Sequence, residues 1–193
     1  MLALSAAALA GGHSVFAQTA EAKAPQWAIV PGSERLEIQG RARDFEIRAR
    51  FAVFQAEIAF QPGQPESASV SVVIDTTSWA SSLPATDEQV LGPDWLSVAH
   101  SPTARWVLTE LRATGGEAAY SADGVLTLQD RSAPVPLALT LEIDADGATL
   151  HAVGTGRLDR REFGLGANTA PDEGTAGYAV AIRFEFTAQR VAP

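Results

Sequence analysis

The sequence predicts an all-β domain of roughly eight antiparallel strands carrying one helical excursion. Three observations support this. Apolar residues recur at every second position through most of the chain, which gives each strand one buried face and one more polar face. Gly, Pro and Asp-Gly pairs punctuate the apolar runs at hairpin spacing. No alternation of strand and helix occurs, which argues against a parallel sheet.

The pattern begins at Trp27, and Glu34–Arg41 and Phe45–Phe60 are the next strand candidates. Val70, Val72 and Ile74 then alternate with Ser69, Ser71 and Val73. The stretch from Trp79 to His100 breaks the period. Within it, Thr86-Asp87-Glu88-Gln89 fits a capping box, with Thr86 as N-cap and Gln89 reaching back. That helix stops at Gly92, and Pro93 suits the first turn of a second short helix carrying Trp95 and Leu96. Excursions this long are usually functional or covering elements, so this one is expected over one end of the sheet. Thr103–Ala113 and Glu117–Gln129 resume the strand pattern across a Gly115-Gly116 turn. Val135, Leu137, Leu139, Leu141 and Ile143 alternate with Pro136, Ala138, Thr140 and Glu142. Asp146-Gly147 suits a type I′ turn, whose central residues both need positive φ, before Ala148–Leu158. In the last strand Tyr178, Val180, Ile182, Phe184 and Phe186 share one face, with Arg183 and Glu185 on the other. Such a set of strands can close as a barrel or stack as a sandwich, and the pattern alone selects neither.

Composition removes several function classes. Hydrophobic residues are 46% and charged residues 19%, which excludes a disordered acidic tail. Asp and Glu number 23 against 14 Lys and Arg, a net charge of -9, and a body so acidic is a poor match for nucleic acid. There is no cysteine, hence no disulfide, thiolate metal site, Cys nucleophile or lipidated N-terminal Cys. The 193 residues suit one domain. Residues 1–17 carry no Asp, Glu, Lys or Arg, include the apolar run Leu2–Ala10, and end in Val15-Phe16-Ala17, with small residues at the −3 and −1 positions of a cleavage site. They read as a signal peptide, with 18–26 a linker and 27–191 the domain. Such a leader implies export, with cleavage after Ala17.

The catalytic patterns are missing. No nucleophile elbow, HExxH or P-loop occurs. Gly154-Thr155-Gly156 and Gly164-Leu165-Gly166 lie at strand ends and read as turns, bulges or bends. His100 and His151 read as isolated surface residues, and Asp144-Ala145-Asp146-Gly147 as a hairpin turn without the rest of a calcium loop. Asp159 and Glu162 flank Arg160 and Arg161, which points to ion pairing before acid–base work. By contrast, aromatic residues are spread over nearly every strand. They fit either an ordinary core or an apolar cavity.

The order of motifs resembles the YceI-like family of periplasmic lipid-binding proteins. Trp27-Ala-Ile-Val-Pro with Ser33 and Leu36-Glu-Ile38 is similar to its opening strand. Arg50-Phe51-Ala-Val-Phe54 with Ile58-Ala-Phe60, and Val72-Val-Ile74-Asp75 with Ser78, are similar to the next two. Asp87 to Trp106, containing Asp94-Trp95-Leu96-Ser97-Val98 and Pro102, resembles the family's excursion. Gly124-Val-Leu126-Thr127-Leu128 with Pro134-Val135, then Leu158-Asp159-Arg160-Arg161-Glu162-Phe163-Gly164, resemble its later signatures. The departures are Ala49, Thr86, Gln89 and the Asp130-Arg131 turn, and Thr86 and Gln89 bear on polar contacts at a barrel mouth.

The resemblance implies a lipocalin-like up-and-down β-barrel whose interior takes a long apolar chain, such as a polyisoprenoid or a quinone tail. Strand phase and the resemblance together nominate the lining as Phe51, Phe54, Ile58, Val72, Ile74, Trp79, Trp95, Trp106, Leu108, Leu137, Leu139, Ile182 and Phe184. No catalytic residue, metal or cofactor is expected. The partners are a long-chain isoprenoid or related lipid and, transiently, a membrane or membrane protein. Two alternatives stand beside the carrier: an isomerase or cyclase working on such a lipid, and an interaction module with a filled core. The resemblance also places Gly124 inside a strand, where local rules read Asp123-Gly124 as a turn, so a bulge or bend is expected there.

Overall fold

The computed structural model describes residues 24–192, so the signal-peptide segment lies outside the described residues. Twelve strand segments follow in order: β1 (Gln26–Ile29), β2 (Arg35–Ala42), β3 (Phe45–Phe51), β4 (Phe54–Ala59), β5 (Ser69–Asp75), β6 (Trp79–Ser81), β7 (Thr103–Ala113), β8 (Ala119–Leu128), β9 (Arg131–Pro134), β10 (Leu137–Ile143), β11 (Thr149–Asp159) and β12 (Ala179–Arg190). One helix, α1 (Pro84–Leu91), lies between β6 and β7.

All pairings are antiparallel, and the ring β1-β4-β5-β7-β8-β10-β11-β12 closes because β12 also pairs β1. Closure removes the free edges that invite aggregation and settles barrel over sandwich. The remaining segments continue ring strands. β2 extends β1 along β12, β3 and β4 form one strand, and β6 follows β5 along that strand. β9 precedes β10 along β8. The chain is thus an eight-stranded meander in which four strands are kinked.

The kinks account for most differences from the sequence expectation. Phe45–Phe60 is broken at Ala52-Val53, where Ala52 N–H turns to Ser78 O at 3.3 Å and Ser78 Oγ accepts Val53 N–H. Two elements begin earlier than the periodicity indicates: β1 at Gln26, and the strand holding β10, which reaches back to Arg131 through Val135-Pro136. Helix α1 begins at Pro84 with Leu83 as N-cap, so Thr86 sits inside the first turn and donates its hydroxyl to Leu83 O at 2.8 Å. Proline tolerates the first helical position because its missing N–H would have been unsatisfied there. Gly92 ends the helix as expected, but residues 93–100 form turns, not a second helix. At the Asp146-Gly147 turn only Gly147 has positive φ (71°), so the type I′ expectation fails.

Gly124 lies inside β8, and the bulge sits opposite it on β7. Leu108 pairs Gly124 and Glu110 pairs Asp123, which leaves Thr109 as the extra residue. This bulge shifts the inward phase of β7 from Trp106 and Leu108 to Leu111.

One end of the barrel is plugged. Trp27, Phe60, Tyr120, Leu150 and Ala188 are buried there, with the Phe60 and Tyr120 rings edge to face at 5.5 Å. Trp27 Nε1–H donates to Phe60 O at 2.9 Å. Toward the other, upper end the inward side chains of β12, Val180 to Phe186, become partly accessible, so the interior there is open space.

Candidate functional site: an apolar barrel cavity

The alternation that builds each strand also builds the site. Inward positions on every strand around the barrel meet in one cavity of about 720 Å³. This lies within the range of ~300–1,000 Å³ common for small-molecule sites. All of the lining residues nominated from phase border it, from Phe51 and Phe54 on β3 and β4 to Ile182 and Phe184 on β12. Trp79 and Trp95 border it from the excursion. Phase alone misses Leu36, Ile38 and Ile47, whose alternation on β2 and β3 carries the same signal, and Leu158 and Leu165 near the upper end.

Two glycines let rings lie against the barrel wall. A Cβ on Gly124 would stand 2.1 Å from Trp106 Cζ2, and one on Gly154 would stand 2.2 Å from Phe184 Cζ. The pair Gly154/Gly156 is therefore mid-strand packing, not a turn.

The upper end is covered by the excursion and the segment after β11, clasped through Asp94. Its Oδ1 accepts Asn168 N–H (3.1 Å) and Nδ2–H (2.7 Å), and its Oδ2 accepts Thr169 N–H (2.8 Å) and Oγ1–H (2.6 Å). Trp95 Nε1–H donates to the same Thr169 hydroxyl at 3.0 Å. Desolvation pushes the Asp94 carboxyl up, but hydrogen bonds from Thr169 and Asn168 outweigh it and hold the group below its ordinary value. A lowered folded pKa gives stability that is full above the unfolded value of about 3.9 and disappears as pH falls through the folded one. Asp94→Asn should therefore lower the melting midpoint near pH 7, and the deficit should shrink in melts at about pH 3.

Asp87, part of the motif expected near the mouth, pins α1 instead. It accepts Trp79 Nε1–H at 3.0 Å and Ser81 N–H at 3.2 Å. Thr86 and Gln89 do border the cavity.

Asp159 and Arg161 pair as expected, with Arg161 Nε 3.0 Å from Oδ1, but Arg160 does not. Arg160 is only 3% exposed, and its guanidinium donates to the carbonyls of Leu165, Ala170, Ala176 and Gly177 at 2.5–3.1 Å. The Trp95 and Tyr178 rings flank it at 5.5 and 5.3 Å. This hub folds residues 160–177 over the barrel end, a role not visible from the local charge pattern.

The histidines are apart. His151 contacts Thr187 Oγ1 and Asp144 on the outer surface, and no cluster able to hold a metal occurs among the described residues.

Comparison with known proteins agrees with this architecture. A UPF0312 protein of Pseudomonas aeruginosa is 28% identical over 178 residues, covering 89% of this chain and 92% of that protein. One from Pseudomonas savastanoi pv. phaseolicola is 27% identical over 168 residues, covering 85% of this chain and 84% of that protein. Among solved structures, Burkholderia cenocepacia BcnA superposes with a TM-score of 0.76 at 23% identity, covering 82% of this chain and 98% of that one. A Campylobacter jejuni YCEI protein gives 0.65 at 18% identity, covering 75% and 85%. Residues 27–188 match the YceI-like domain over nearly the whole described barrel, and the chain belongs to the YceI-like family.

Proposed function

We propose that this protein is a carrier that holds a long apolar lipid, such as a polyisoprenoid or a quinone tail, inside its barrel. The observation that carries the reading is the cavity itself: apolar, about 720 Å³, plugged at one end and accessible at the other. Family membership and barrel fold support a binding protein of this kind. Burying ten methylenes there returns about 8 kcal/mol at ~0.8 each, before the ordering of a flexible chain is subtracted. Among the described residues the lining holds no carboxylate and no histidine. An isomerase or cyclase would need a group there that exchanges a proton near neutral pH, so the composition of the wall favours binding over catalysis.

Protein purified without detergent is extracted with organic solvent and the extract examined by mass spectrometry. The carrier reading expects a long-chain lipid in near-stoichiometric amount. An empty extract, together with no uptake of an apolar fluorophore, would overturn it and favour a filled core.

We also propose that the protein works in the periplasm. The support is the uncharged apolar segment before Gln18. N-terminal sequencing of the periplasmic fraction should return Gln18, and protein beginning at Met1 would contradict export by cleavage.

A further inference from the structure

The charged residues bordering the cavity are all of one sign. They are Arg41, Arg43 and Arg160, in a chain whose acidic residues outnumber its basic ones 23 to 14. Among the described residues none of the three pairs with a carboxylate. Arg160 is hydrogen-bonded only to carbonyls, with the Asp159 carboxylate acting on it through space and not as a hydrogen-bonded partner. Arg41 donates to Arg43 O and Glu173 O at 2.9 and 3.1 Å, again main-chain oxygens. The nearby acids are turned elsewhere or lie off the wall: Glu46, opposite Arg41 across the hairpin, accepts from Arg48 Nε at 2.6 Å, the Asp172 carboxylate accepts Thr175 N–H, and Asp44 and Glu173 do not border the cavity.

Arg43 is set at the mouth by a tight hairpin. It occupies the two-residue turn between β2 and β3 with φ 52°, a conformation that favours glycine. Phe45, two residues on, borders the cavity yet is 67% exposed, and Leu83 at the start of α1 borders it at 43%. The mouth thus combines an apolar rim with two exposed cations, and Gly177 links them to Arg160, donating its N–H to Arg41 O and accepting from Arg160 Nε.

We propose that the cavity selects amphiphiles with an anionic headgroup, a carboxylate or a phosphate ester, whose charge sits against Arg41 and Arg43 while the tail fills the barrel. This rests on the carrier reading and names its ligand class. Guanidinium donors to an oxyanion form stronger hydrogen bonds than neutral pairs.

The test is displacement of the neutral fluorophore N-phenyl-1-naphthylamine by hexadecanoate and by hexadecanol, two ligands with one tail length and different heads. Hexadecanoate is expected to displace it at a concentration about tenfold lower, a gap that narrows with salt. Arg41→Gln with Arg43→Gln brings the two curves together, whereas the outward Arg183→Gln leaves them apart. Arg43→Gly relieves the backbone strain, so a reduced gap in that variant with an equal or higher melting midpoint separates headgroup binding from a folding defect. Millimolar inorganic phosphate does not remove the preference. If it does, the site is for a free anion and the proposal fails. Equal displacement by acid and alcohol, or a preference that survives the double substitution, overturns it while leaving the carrier intact. If neither compound displaces the bound probe, the headgroup proposal fails, while the carrier reading is decided by the solvent extraction.

Discussion

Arg160→Met is expected to lower the melting midpoint by roughly 10 °C. The replacement keeps apolar length but removes every donor. The carbonyls of Leu165, Ala170, Ala176 and Gly177 then lose their partner. Each buried acceptor left unsatisfied costs about 1–3 kcal/mol, and part of this is recovered as the 160–177 segment rearranges toward water. The contacts with Trp95 and Tyr178 go as well. A sum near 3–5 kcal/mol is consistent with that midpoint change at about 2–4 °C per kcal/mol. Arg160→Lys restores one charge but not the fork, and should fall between methionine and wild type. Thermal unfolding followed by circular dichroism decides it. A methionine variant within a degree or two of wild type would show that the hub does not hold the segment.

Gly124→Val should produce the second large loss. The added Cβ falls 2.1 Å from Trp106 Cζ2, far inside contact distance. The indole cannot step aside cheaply, because its Nε1–H is committed to Val135 O at 3.0 Å and the side chain is buried. Overpacking of this kind costs about 1–3 kcal/mol, and more when a hydrogen bond breaks with it. The paired change Gly124→Val with Trp106→Ala should recover part of the loss, since the ring that clashes has gone. A double variant less stable than the sum of the two singles would contradict the contact as the cause.

Strand phase is legible in the sequence because a period of two leaves little freedom once one face is buried. Ile182 and Phe184, or Leu137 and Leu139, can only share a side. The same logic reaches the cavity wall but not its emptiness, since packed cores and cavities have the same alternation. Two of the four kinks carry their own punctuation, Pro31-Gly32 and Pro136, but Ala52-Val53 has no Gly or Pro, and its break depends on Ser78 arriving from elsewhere in the chain. The helix start is obscured because Thr86 and Gln89 satisfy a capping pattern that Pro84 pre-empts two residues earlier. Arg160 looks like half of an ion pair because Asp159 and Glu162 flank the Arg160-Arg161 pair, whereas its partners are carbonyls brought round by a loop. Arg41 and Arg43 belong to no motif in the sequence, and only the β2–β3 hairpin places them at the mouth.

Whether the barrel interior is space for a ligand or a core with imperfect packing is decided by Ile182→Trp. Ile182 borders the cavity, and its neighbours across the sheet are Gly156 and Ile38, so an added indole projects into the open volume. The measurement is a paired one on the same preparation: the melting midpoint, and the amount of co-purified lipid or bound neutral fluorophore. A ligand cavity gives a midpoint close to wild type with uptake largely lost, while Arg183→Ala, on the outer face, changes neither. A midpoint drop matching the ~1–3 kcal/mol of an overpacked core, with uptake unchanged, would refute the cavity.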